Sequence, residues 1–167
     1  SKIFPEAWEK FLEPIPEDER NSLMSAYHKI FLGDDDNKRL EAAIAWSTWE
    51  GSTSSMSYKP EMVSSFSNPK FALAFALIEN HYFMNLGFLE NEDQLIKSSS
   101  IDKIRHIPAK IIQGRYDMVC PVETAWELSK NWQEAELIIA PSSGHSAFEK
   151  EITHHLIAAT NEFSEHV

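Results

Sequence analysis

The distribution of apolar and polar residues divides the 167-residue chain into two textures. Residues 1–97 read as helices, two of their segments being entered through acids and left through glycine. "PEAWEKFL" opens with Pro5 at a helix start, where its fixed φ suits the first turn. "PEDERNSLMSAYHKIFLG" carries acids in its first turn and ends on Gly33, and "DDDNKRLEAAIAWSTWEG" repeats that order with Gly51 at the exit. "NPKFALAFALIENHYFMNLGF" predicts a fourth helix, rich in aromatics. Among the short connections "STSSMSYKP", Ser52 to Pro60, is the longest and reads as a flexible surface loop.

From Ile107 the pattern changes. "AKIIQG" is a compact apolar run ending in glycine, which predicts a buried strand; "PVETAWELSKNW" predicts a helix, "AELIIAPS" a second strand and "EITHHLIAATNEF" a last helix. Strand, helix, strand, helix with such short connections implies parallel pairing through a right-handed crossover. Two parallel strands do not make a stable sheet with both faces covered. Either further strands come from another chain, or the sequence is a piece of something larger.

Composition narrows the classes of function. With 43% hydrophobic residues the chain has material for a core, and 167 residues fit one ordinary domain, or a core with a subdomain. A net charge of −11 argues against nucleic acid and anionic membrane as partners, since phosphate is repelled, and favours small cationic ligands. The single cysteine, Cys120, forms no internal disulfide and belongs to no zinc-type spacing, which fits a reducing cytoplasm. No apolar run approaches the roughly 18 residues that span a bilayer, and "SKIFPEAWEK" lacks a signal-peptide core. No Gly-rich phosphate loop occurs, and no cofactor is implied.

Two pairs of residues carry candidate chemistry. Asp117, in "QGRYDMVCP", follows the first strand, where open parallel sheets place functional groups; its plainer role is to cap the helix near Pro121. His145, in "IIAPSSGHSAFEK", holds the equivalent place after the second strand, where loop meets helix. Either alone has a structural explanation. Together they form a carboxylate able to orient an imidazole, the second half of the chain order Ser, Asp, His of α/β-hydrolases. No G-x-S-x-G-like elbow precedes them, and Ser142, Ser143 and Ser146, too close to His145 in sequence, read as turn residues. Cys120 reads as a half-buried bystander, and the adjacent His154 and His155 as solvated surface.

Glu79 interrupts an otherwise apolar helix, and Glu50 ends its helix where the dipole disfavours an acid. Each is open to reading as an exposed or salt-bridged acid. Yet Trp46 lies four residues before Glu50, and Phe83 four after Glu79, so each acid shares a helix face with an aromatic. An apolar pocket with two carboxylates suits a small ligand that has an apolar ring and a positive nitrogen.

"AWSTWEGSTS", "FALAFALIENHYF", "GRYDMVCP" and "APSSGHSAFE" together resemble the proline iminopeptidase family of α/β-hydrolases, in that order along the chain and over nearly all of it. The resemblance implies an α/β fold of which this chain is a part: a helical cap over residues 1–100, then the last two parallel strands and helices of the core over 101–167. It implies that Asp117 and His145 are the triad acid and base. Glu50 and Glu79 match the cap glutamates that bind the imino group of an N-terminal proline, and Phe83 an aromatic packing on its ring. The nucleophile elbow and oxyanion loop have no counterpart here, so the chain resembles a C-terminal part. A missing N-terminal half is expected to pack against 101–167, and the chain alone is expected to be inactive. Implied partners are peptides or small amides with an N-terminal proline. Two other readings stay open: an α/β-hydrolase acting on another ester or amide, and a non-catalytic helical module docking through its aromatic helix.

Overall fold

The computed structural model describes residues 2–91 and 93–165, which fall into two compact units. The first comprises 2–53 and 58–91, the second 54–57 and 93–165.

The first unit is helical. Helix α1 (Pro5–Leu12) starts on its proline as expected. The segment predicted as one helix from Glu17 is two elements. A 3-10 turn, Glu17–Ser22, precedes α2 (Leu23–Phe31), and the non-helical Ser22 backbone (φ −143, ψ 69) divides them. Helix α3 (Asp36–Thr53) is entered through Asp35, whose Oδ1 accepts the N–H groups of Asn37 and Lys38. It does not end at Gly51. A Cβ there would meet Cγ of Phe66 at 2.8 Å, so this glycine admits the ring of α4 (Pro60–Phe66) rather than stopping the helix. Helix α5 (Pro69–Met84) is capped by Asn68, which accepts from the N–H of Lys70 and Phe71. The expected continuation to Phe88 fails because Leu86, Gly87 and Phe88 all have φ between +52 and +62, left-handed backbone that no right-handed helix continues.

Packing of α1, α2 and α5 on α3 buries Phe11, Tyr27, Phe31 and Trp46 among one another. Phe11 stacks on Tyr27 with ring centroids 4.9 Å apart, and Trp46 meets Tyr27 edge-on at 5.0 Å. The Tyr27 hydroxyl, carried into this cluster, is satisfied: it donates to the Phe11 carbonyl at 2.5 Å. Burial pushes the Tyr27 phenol well above the usual tyrosine range.

The second unit holds the sheet. Strands β1 (Ala109–Gly114) and β2 (Ala135–Ala140) pair in parallel from Ala109 opposite Ala135 to Gly114 opposite Ala140. Helix α7 (Val122–Asn131) connects them, α8 (Lys150–Ser164) follows, and both pack on the two strands. A short α6 (Ser98–Ile101) precedes β1 and buries Ile101. The strand side chains are mostly half-buried until the last residue of each, Gly114 and Ala140, which is fully buried. Parallel order brings both C-terminal strand ends to the same edge, and with them the loops that carry Asp117 and His145.

Candidate active site

Beyond the last paired residues the two loops continue to hold each other. The Arg115 N–H donates to the Ala140 carbonyl and the Tyr116 N–H to the Ser143 carbonyl, both at 2.9 Å. So close an approach requires glycine: a Cβ on Gly114 would lie 2.0 Å from the Gly144 carbonyl oxygen. The turn after β1 then puts Asp117 against the histidine loop, with only 8% of its surface exposed.

Each carboxylate oxygen of Asp117 has its own task. Oδ1 accepts the backbone N–H of Val119 at 3.0 Å and of Cys120 at 2.7 Å, fixing the side chain to its own turn. Oδ2 lies 3.0 Å from His145 Nδ1 and also accepts from Gln113 Nε2 at 3.0 Å. Gln113 donates as well to the Cys120 carbonyl, so the last strand turn and the aspartate turn are tied by one amide. Helix capping is not what Asp117 does, since α7 begins at Val122 after Pro121 with no side-chain cap. A carboxylate held by three N–H groups and facing Nδ1 sets the imidazole tautomer and leaves Nε2 as the nitrogen for proton transfer.

His145 lies in mid-loop, since α8 starts only at Lys150. Its backbone is held from the other side by residues 54–57. The N–H groups of His145 and Ser146 both donate to the Ser54 carbonyl, at 2.9 and 2.8 Å. Ser54 and Ser55 are buried, 4% and 6% exposed, so this stretch is not the flexible surface loop its serines predict. Glu149, 7% exposed, completes the arrangement: Oε1 accepts the Met56 N–H at 3.0 Å and Oε2 accepts the Gly144 N–H. Glu151 accepts the Ser142 N–H at 2.9 Å and the Ser143 hydroxyl at 3.2 Å. Ser143 is 1% exposed and shapes the turn. Cys120 is exposed rather than half-buried.

The glutamates and Phe83 belong to the helical unit. Glu79, half-buried on α5, accepts from the indole Nε1 of Trp46 at 2.8 Å. The Phe83 ring, 54% exposed, lies 6.1 Å from the same indole. Trp46 therefore joins Glu79 and Phe83 across two packed helices, whereas sequence spacing paired it with Glu50 on its own helix. Glu50 is half-buried in the last turn of α3. Beside Glu79, Asn80 is 1% exposed; it faces His28 Nδ1 at 2.7 Å and donates to the Met24 carbonyl at 3.1 Å, tying α5 to α2.

Gln113, Asn80, Glu149 and the Ser54 carbonyl are the site and support groups that sequence reasoning missed. Glu149 gave only the signal of an acid just before a helix, which reads as dipole compensation. The carbonyl of Ser54 gave none.

No family model matches the chain. Among curated proteins, it is 51% identical over 164 residues to a proline iminopeptidase of Xanthomonas citri, covering 98% of this chain and 52% of that protein. It is 49% identical over 163 residues to a proline iminopeptidase of Xylella fastidiosa, covering 98% of this chain and 51% of the relative. With a proline iminopeptidase of Arabidopsis thaliana it shares 48% identity over 158 residues, 94% of this chain and 41% of the relative. The chain spans about half the length of the curated bacterial relatives it matches. Nearly all of it is accounted for by this likeness, and its parallel strands with flanking helices are a partial α/β-hydrolase fold. The chain thus resembles the C-terminal part of the proline iminopeptidases.

Proposed function

We propose that the whole protein is a serine-type aminopeptidase that releases N-terminal proline from peptides, this chain supplying the base, the orienting acid and the amine-binding glutamates. The observation that carries the reading is the Asp117–His145 contact of 3.0 Å at the C-terminal edge of a parallel sheet. A serine outside this chain attacks the prolyl carbonyl. His145 Nε2 takes the serine proton and then delivers it to the departing amine, while Asp117, bonded at Nδ1, stabilises the imidazolium in between. Water repeats the cycle on the acyl-enzyme. The missing half packs against residues 101–167 and brings the nucleophile and the oxyanion donors.

Glu50 and Glu79 hold the cationic secondary amine of the substrate, and Phe83 lies on the pyrrolidine ring. The Trp46 bond supports this role for Glu79 by fixing one carboxylate oxygen, and the exposed face of Phe83 supports the ring contact. Anchoring through charge makes the activity an exopeptidase, since the proline nitrogen is cationic only at a free N-terminus and is a neutral amide within a chain. Among the described residues no helix is long and apolar enough to cross a membrane. The single cysteine supports a reducing compartment, and we place the protein in the cytoplasm.

Hydrolysis of prolyl-naphthylamide by the whole protein, compared with N-acetylprolyl-naphthylamide and a simple acyl ester, tests the reading. The free prolyl amide is expected to be cleaved fastest and the acetylated one poorly. Preference for the acyl ester would overturn the substrate and favour a general α/β-hydrolase.

A further inference from the structure

We propose that Glu149 is a positioning residue for the base histidine, acting as a buried clip between the His145 loop and residues 54–57. The inference rests on the reading of His145 as the catalytic base.

The histidine loop has few regular restraints of its own. Between the end of β2 at Ala140 and the start of α8 at Lys150, nine residues run without a helix or strand to hold them. A base whose reach must be fixed to a fraction of an ångström cannot rely on such a loop alone. Asp117 fixes the ring at Nδ1, but the backbone that carries the ring needs its own support. That support comes from residues 54–57, distant in sequence by about ninety positions.

Two layers of bonds make the clip. The Ser54 carbonyl receives the N–H groups of His145 and Ser146, so the backbone on both sides of the imidazole hangs from one oxygen. Segment 54–57 has no sheet partner, so that oxygen is only as fixed as the segment. Glu149 fixes it. One carboxylate oxygen takes the Met56 N–H, two residues after Ser54, and the other takes the Gly144 N–H, one residue before His145. A single side chain therefore holds both ends of the bridge. Gly144 makes room: a Cβ there would lie 2.8 Å from the Met56 nitrogen.

A buried carboxylate is costly unless hydrogen-bonded, and a neutral isostere supplies only one acceptor. Glutamine at 149 would keep one N–H bond and point its own N–H₂ at the other donor. Alanine would leave both N–H groups without this acceptor. The loop would then sample positions in which Nε2 misses the serine. Displacement of a catalytic group by about 1 Å can cost on the order of 10²-fold in rate.

The test uses the whole protein with Glu149→Gln and Glu149→Ala, read three ways: kcat and KM on prolyl-naphthylamide, amide hydrogen exchange, and thermal melting. In Glu149→Ala, kcat is expected to fall roughly 10²-fold with KM nearly unchanged. Amide protection at Met56, Gly144 and His145 should drop while α7 and α8 stay protected. Glu149→Gln should fall between wild type and alanine on both counts. Wild-type kcat in folded Glu149→Ala, or unchanged protection at Met56, would overturn the inference. Global unfolding of both variants would overturn it too, by making Glu149 a residue of the fold at large. The exchange measurement needs no substrate. If the protein prefers an acyl ester, the substrate reading falls while the Glu149 test proceeds on that ester.

Discussion

Replacing Gly114 by alanine puts the geometry of the acid–base pair under direct strain. The added Cβ would lie 2.0 Å from the Gly144 carbonyl oxygen, 2.7 Å from that of Ser143 and 2.8 Å from the Gly144 carbonyl carbon. All three are backbone atoms, so no side chain can swing away. Carbon and oxygen settle no closer than about 3.3 Å, so the loops must part by more than about 1 Å. The parting falls across the 2.9 Å bond from Tyr116 N–H to Ser143 and the 3.0 Å contact of Asp117 with His145. Overpacking of this kind costs about 1–3 kcal/mol, and a protein of about the relatives' length, roughly twice this chain, loses about 1–2 °C of Tm per kcal/mol. A Tm lowered by about 1–6 °C is expected by calorimetry on the whole protein. kcat should fall by about 10²-fold, because the histidine retreats with its loop. Gly144→Ala, whose Cβ first meets the Met56 nitrogen at 2.8 Å, should destabilise less. Gly114→Ala with wild-type Tm and wild-type kcat would refute the reasoning.

Gln113→Ala removes one N–H from Asp117 Oδ2 without touching the histidine, and a drop in kcat of about ten-fold is expected, KM holding, by steady-state kinetics. Trp46→Phe removes the indole N–H from Glu79 Oε2; since a bond to a charged group is worth about 1.5–3 kcal/mol, the KM for a prolyl amide should rise several-fold, and an unchanged KM would argue against Glu79 as the amine anchor. Asn80→Ala leaves His28 and the Met24 carbonyl without their buried partner and should cost about 1–3 kcal/mol in urea unfolding. Because burial raises the Tyr27 phenol in the folded state, its stabilisation is fully present below the unfolded tyrosine value, about pH 10, and declines as pH rises beyond it. Ultraviolet titration should show one tyrosine that ionises only with unfolding. The 167-residue chain by itself should not turn over prolyl-naphthylamide, since its sequence holds no G-x-S-x-G-like elbow to supply the nucleophile.

Local signals in the sequence were enough for the strands, because a short apolar run bounded by turn residues has few other readings: "AKIIQG" is β1, and the predicted "AELIIAPS" holds β2 in its first six residues. The parallel pairing followed from the strand, helix, strand order and its short connections. Helix ends were less legible. Gly51 looks like a stop and is a packing notch for Phe66, and "MNLGF" looks helical until three left-handed residues end it. Asp117 and His145 were legible because parallel order brings both strand ends to one edge. What holds them was not. The Ser54 carbonyl carries no side-chain signature, and a serine-rich stretch reads as solvated until it is found buried beneath a loop ninety residues away. Trp46 was paired with the nearer glutamate in sequence, because helical spacing reports one helix face and not the neighbouring helix.

The central claim is that Asp117 and His145 act as one unit on a serine. It is tested most directly by kcat for prolyl-naphthylamide in the whole protein carrying His145→Ala, Asp117→Asn, or both. His145→Ala is expected to lower kcat by at least about 10³-fold, and adding Asp117→Asn should lower it little further, since members of a triad are grossly non-additive. Wild-type turnover in His145→Ala, or losses that multiply independently in the double variant, would contradict the account.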